Sequence, residues 1–190
     1  MKEFGYQPKD DRTIYNTIGM TLVDAFDLLT DMPDNPQRED MRKAYVKKAD
    51  EVMVKKTYFY DDTIALLQTL QNAGVKVGIV STKYRYRIVN TFNEQAGSLP
   101  VDIIVGGEDV TKAKPDPQGL DLIVERFGAD KSDVLYIGDS YIDAETALNS
   151  GVDFAGVTTG STTKEDFEKY PHIYICLLYT SDAADDLTRV

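Results

Sequence analysis

The sequence predicts an α/β protein: a parallel sheet flanked by helices, with a small helical domain in front of it. Two observations carry that reading. From about residue 63 onward, short runs rich in β-branched residues alternate with amphipathic helical stretches, and strand–helix–strand order argues for a parallel sheet covered on both faces. Before residue 57 there is no such alternation, only apolar residues at helical spacing. A chain of 190 residues is long enough for one good core and a small accessory domain. The expected division is a helical domain over 1–57, an α/β core over 58–175 and a tail over 176–190.

The elements follow in order. Residues 21–29 place Leu22, Val23, Ala25, Phe26, Leu28 and Leu29 with helical period, and the prolines of Met32-Pro33-Asp34-Asn35-Pro36 mark a loop. Residues 37–56 form a charged amphipathic helix, with Met41, Ala44, Tyr45, Ala49, Val52 and Met53 as its buried stripe. A helix over 63–72 is closed by Ala73-Gly74, and Val75-Lys76-Val77-Gly78-Ile79-Val80 follows as a strand. A helix over 84–94 leads to a strand over 101–105, and one over 117–127 leads to a strand over 134–137. A helix over 141–150 stops at Gly151 before a strand over 153–157, and a short helix over 163–170 precedes a strand over 173–175.

Charge narrows the partners. Lys and Arg number 21 against 32 Asp and Glu, giving a formal net charge of −11. Such an acidic surface is repelled by nucleic acid and by anionic membranes, so neither is expected as a partner. An anionic substrate has to be met locally, by a metal ion or a few placed lysines. No apolar run approaches the ~18 residues that span a bilayer, and Met1-Lys2-Glu3-Phe4-Gly5 does not open a signal peptide. The single cysteine, Cys176, excludes an internal disulfide framework. A cytoplasmic protein is expected. The run from Cys176 through Leu177, Leu178, Tyr179 and Thr180 resembles a transposase sequencing adapter translated in frame, so 176–190 is expected to be a non-native tail.

In a parallel sheet, ligands bind outside the carboxyl ends of the strands, and three strand ends carry polar groups of one chemical theme. The first ends in Ser81-Thr82-Lys83, where a hydroxyl can donate to a phosphate oxygen or cap the next helix. After the second comes Lys112-Ala113-Lys114-Pro115-Asp116-Pro117, whose prolines stiffen the turn after Lys114. Fixed there, Lys114 can neutralise a phosphoryl group or a carboxylate; the alternative is a solvated lysine. The third ends in Gly138-Asp139-Ser140-Tyr141-Ile142-Asp143. Gly138 permits close backbone approach, and Asp139 and Asp143 lie about one helical turn apart. Paired hard oxygen ligands suit Mg²⁺, which also takes waters and a phosphate oxygen; the alternative is an Asp N-cap with a second acid at the helix start.

Taken together, Val77-Gly78-Ile79-Val80-Ser81-Thr82-Lys83, Lys114-Pro115-Asp116-Pro117 and Gly138-Asp139-Ser140-Tyr141-Ile142-Asp143 resemble motifs two, three and four of the haloacid-dehalogenase-like hydrolases, most closely the phosphoglycolate phosphatase-like branch. The resemblance covers residues 1–175. It implies a Rossmann-like core, with the helical region over 1–57 as a cap that selects substrate. It also implies that Ser81 hydrogen-bonds the transferring phosphoryl group with Thr82 beside it, and that Lys114 stabilises the nucleophile and the phosphoryl charge. Asp139 would ligate Mg²⁺ directly and Asp143 would support it. The substrate would be a small phosphorylated metabolite.

The family's first motif, an apolar strand ending in Asp-x-Asp that carries the nucleophile, has no match. Asp61-Asp62-Thr63 lacks the apolar strand before it. The motif's expected place is upstream of Met1, and without it the chain is expected to be inactive and poorly stable. Two other readings remain open: a non-catalytic phosphate-binding module of the same fold, and a receiver-type signalling domain, although receivers finish about one helix after their lysine. Arg42, Lys43 and Tyr45 are open to contact with a substrate carboxylate or to simple solvation.

Overall fold

The structure, a computed structural model, describes residues 1–176. By internal packing the chain divides into two compact units, Met1–Ala113 and Lys114–Val190.

The first unit opens with a 3-10 turn, Lys2–Phe4, and then three helices: α1 (Asp11–Tyr15), α2 (Leu22–Thr30) and α3 (Arg38–Lys56). Asp10 caps α1 by accepting the Thr13 amide at 2.9 Å, and the Thr21 hydroxyl caps α2 through Asp24 N. α3 packs against α2 and α5. Of the stripe expected on α3, Met41 and Ala49 are buried, Ala44, Val52 and Met53 are half-buried, and Tyr45 is exposed. Tyr45 instead sets its ring edge-on to Phe26 of α2, with centroids 6.3 Å apart.

Next come α4 (Thr63–Asn72), β1 (Gly78–Val80), α5 (Arg85–Gln95) and β2 (Ile103–Val105). β1 and β2 pair in parallel, from Gly78 opposite Ile103 to Val80 opposite Val105. The strand expected from residue 75 joins the ladder only at Gly78. The reason is Asp102, whose carboxylate accepts the Val77 amide at 2.9 Å while its own amide donates to Val77 O at 2.8 Å. Phe92, Val101 and Ile104 form the buried centre here, with Phe59, Ile64, Leu67 and Ile79 packed on it.

The second unit runs α6 (Gln118–Phe127), β3 (Leu135–Gly138), α7 (Tyr141–Ser150), β4 (Asp153–Val157), α8 (Lys164–Phe167) and β5 (Tyr174–Cys176). Its sheet is parallel throughout, in the order β3-β4-β5. Phe154 and Phe167 are fully buried, with ring centroids 5.7 Å apart. Cys176 ends β5 opposite Val157, so the strand extends one residue beyond the expected 175; the rest of the expected tail, 177–190, lies outside the described residues.

Among the described residues every strand pair is parallel, as the alternation predicts, and the strands fall into two ladders of two and three strands. β1 and β3 each have a single hydrogen-bonded neighbour among the described strands. On β3, Leu135 and Ile137 share one face and are 46% and 58% exposed. A parallel strand covered on both faces would bury them. Among the described residues no helix is long and apolar enough to cross a membrane.

Candidate active site

β3 and α7 set a buried polar cluster in the second unit. α7 starts at Tyr141 because Ser140 caps it: the Ser140 hydroxyl accepts Asp143 N at 3.3 Å, and Asp143 Oδ2 accepts the Ser140 amide at 3.2 Å. This reciprocal capping box was legible as Ser-x-x-Asp, and it assigns the N-cap to Ser140 rather than to Asp139. The same Oδ2 also accepts the Ser140 hydroxyl at 2.6 Å. Asp143 Oδ1 accepts Lys114 Nζ at 2.6 Å and the Tyr136 hydroxyl at 2.9 Å.

Lys114 is therefore not a solvated lysine. Its side chain is 13% exposed and that of Asp143 6%. The turn after it is held by Asp116, which accepts the Gln118 amide at 3.0 Å at the start of α6, and by Asn149, which donates to Pro115 O at 2.9 Å. Gly138 must be glycine, since a Cβ there would sit 2.3 Å from Asp143 Cβ.

The electrostatics follow from burial. Burial pushes the Asp143 carboxyl up, but the Lys114 charge and hydrogen bonds from Lys114, Ser140 and Tyr136 outweigh it and hold the group below its ordinary value. Burial raises the Tyr136 phenol strongly, helped by the Asp143 charge, the hydrogen bond to it and the Asp139 charge. Tyr136 thus stays protonated and serves as a fixed donor. It is a site residue that sequence reasoning missed, because a tyrosine in an apolar strand reads as core.

Asp139 is exposed at the tip of β3, four residues before Asp143. Among the described residues no cluster of three or more His, Cys, Asp and Glu is placed to hold a metal ion. Asp139 at the strand tip, and Asp143 one helical turn on, are hard oxygen donors of the kind that would suit an ion taking its other ligands from water and phosphate. Both oxygens of Asp143 already accept hydrogen bonds.

Ser81 and Thr82 belong to the first unit, beyond the end of β1. Neither caps α5. Tyr84 holds the N-cap position, and the Arg85 amide is accepted by the Glu108 carboxylate at 2.9 and 3.0 Å. The Ser81 hydroxyl accepts the Lys83 amide at 3.1 Å, and Ser81 N continues the ladder by donating to Val105 O at 3.0 Å. Thr82 and Lys83 line a cavity of about 680 Å³ shared with α2 and α3. Ser81 and Lys83 also border a smaller one of about 180 Å³. Of the residues open to a substrate carboxylate, Arg42 pairs with Glu39 at 2.8 Å and reaches the Tyr84 hydroxyl at 3.4 Å, while Lys43 lies among Glu39 and Asp40.

The second unit thus sets a lysine-bound aspartate one turn beyond a strand-tip aspartate in a parallel α/β fold. The family model of the haloacid dehalogenase-like hydrolases matches residues 1–157, and the chain belongs to that family. It is 28% identical over 148 residues to a phosphoglycolate phosphatase of Shigella boydii, covering 78% of this chain and 57% of the relative. It is likewise 28% identical over 140 residues to the pyrophosphatase PpaX of Listeria monocytogenes, covering 74% and 63%. The chain thus spans less than two thirds of the length of these relatives. A solved haloacid dehalogenase-like hydrolase from Bacteroides fragilis is 45% identical, with a TM-score of 0.87 over 92% of this chain and 83% of that one. A haloacid dehalogenase-like family hydrolase from Streptococcus pneumoniae shares the fold at 20% identity, with a TM-score of 0.79 over 92% and 80%.

Proposed function

We propose that this chain carries the phosphate- and magnesium-handling part of a cytoplasmic phosphatase that hydrolyses a small phosphate monoester, phosphoglycolate-like, through an aspartyl-phosphate intermediate. The observation that carries the reading is the buried Lys114–Asp143 pair set one turn from Asp139 at a strand tip. In this reading residues 1–57 are the cap that selects substrate, and 58–175 are the core.

Each residue then has a task. Ser81, with Thr82, donates to the phosphoryl oxygens. Lys114, held by Asp143, places one positive charge where the phosphoryl group and the attacking carboxylate meet. Asp139 would hold Mg²⁺, which would supply positive charge to the phosphoryl oxygens. The nucleophilic aspartate belongs to a strand outside these 190 residues, since no apolar strand ending in Asp-x-Asp occurs among them. Its carboxylate attacks phosphorus as the P–O bond to the leaving group breaks. Water then attacks the acyl phosphate and releases inorganic phosphate. The unshared edges of β1 and β3 and the exposed Leu135 and Ile137 support a further strand in the complete protein.

The test is phosphatase activity of the 190-residue chain and of the protein extended through the codons upstream of Met1, each with Mg²⁺ and with EDTA. The reading expects turnover only from the extended protein with Mg²⁺. Equal turnover by the 190-residue chain refutes the absent nucleophile. No turnover by an extended protein containing Asp-x-Asp favours the non-catalytic phosphate-binding module.

A further inference from the structure

The loop between β4 and α8 touches the site in two places that the roles above do not use. A Cβ built on Gly160 would lie 2.4 Å from the Asp139 carbonyl oxygen and 2.7 Å from both Cγ and Oδ2 of its carboxylate. The Gly160 backbone is therefore in direct contact with Asp139, on main chain and side chain together. Two residues on, Thr162 is 5% exposed, and its hydroxyl accepts the Tyr141 amide at 2.8 Å. That amide is in the first turn of α7, where backbone donors have no partner within the helix.

The loop is itself tied down at both ends. Thr158 N donates to Cys176 O at 3.1 Å, and Thr163 caps α8 by accepting the Asp166 amide at 3.2 Å. The Gly160 backbone walls one side of the Asp139 carboxylate, and the Thr162 hydroxyl fixes the first turn of α7 that follows it.

We propose that Gly160 and Thr162 are positioning residues that hold the Asp139 carboxylate in the orientation a divalent cation requires; the inference rests on the reading of Asp139 as the cation ligand. Groups that orient a metal ligand without touching the metal change affinity by roughly 10- to 100-fold. Gly160 supplies shape, and any side chain there must push the carboxylate aside. Thr162 supplies one hydrogen bond, which Ser can replace and Val cannot.

The experiment is a Mn²⁺ titration of the ¹⁵N-labelled 190-residue chain, reading paramagnetic broadening of the amides near Asp139, with thermal melts by circular dichroism on every variant. Wild type should broaden at substoichiometric Mn²⁺, and Asp139→Asn should remove the effect. Gly160→Ala should need roughly 10-fold more Mn²⁺ or greater, Thr162→Val should weaken binding by less, and Thr162→Ser should restore it. If Gly160→Ala proves unfolded, the Val and Ser pair at Thr162 decides the matter alone. Folded Gly160→Ala and Thr162→Val chains that broaden at the wild-type Mn²⁺ concentration overturn the positioning role while leaving Asp139 as ligand. Broadening unchanged in Asp139→Asn overturns the ligand reading and the inference with it.

Discussion

Lys114 Nζ lies 2.6 Å from Asp143 Oδ1, with the two side chains 13% and 6% exposed. A pair this buried is not worth a large net stability, because desolvation offsets much of the attraction. Removing one partner is different, since it strands a buried charge.

Lys114→Met leaves the Asp143 carboxylate with only Tyr136 and Ser140 as donors. The expected cost is about 3 kcal/mol, the lower end for breaking a buried pair, read as a lower urea midpoint. Tyr136→Phe removes a single donor to a charged acceptor and should cost about 1.5–3 kcal/mol.

The same pair sets an acid limb. Asp143 is held below its ordinary value of 3.8, so its contribution is fully present above that value, where the unfolded group is also ionised. As pH falls from 3.8 through the lower folded value, the unfolded chain takes up the proton first and the contribution is lost. Urea midpoints measured from roughly pH 5 down to pH 2 should fall less steeply for Asp143→Asn than for wild type.

The start of α5 is capped from Glu108 and not from Ser81. Because Glu108 accepts the Arg85 amide and Ser81 does not cap α5, Glu108→Ala should cost about 1 kcal/mol. Ser81→Ala should move stability by less than about 0.5 kcal/mol, yet lower turnover of the extended protein. Thermal melts and a kcat comparison check the two halves separately.

Arg87 joins α5 to α3. Its guanidinium is 2.8 Å from Asp50 and sits over the Tyr84 and Tyr86 rings at 5.3 and 5.4 Å. Asp50 is 43% exposed, which discounts the ion pair. Arg87→Met should therefore cost about 1–2 kcal/mol, mainly through lost ring contact and packing. Asp50→Asn should cost less, and chemical denaturation of the two variants orders them.

Much of this molecule was legible before any coordinates. The helices at Thr63–Asn72 and Tyr141–Ser150 and the strand at Asp153–Val157 fall where the apolar spacing and Gly151 place them. The pattern failed where a side chain replaced a ladder bond, as Asp102 does at Val77, and where the expected 163–170 helix shortened to Lys164–Phe167. At the site, Lys114 was legible through its prolines and Asp143 through its spacing from Asp139. Their pairing was not, because 29 residues separate them and only the folded chain brings them together. Tyr136 was hidden in an apolar strand, and Gly160 carried no signal because its role is the absence of a side chain beside Asp139.

The most direct measurement of the central claim is hydrolysis of p-nitrophenyl phosphate by the protein extended through its upstream codons, compared with its Asp139→Asn and Lys114→Met variants. The account predicts Mg²⁺-dependent turnover, abolished by EDTA and reduced by at least roughly 100-fold in each variant. Wild-type rates in both variants, or turnover indifferent to EDTA, would contradict it.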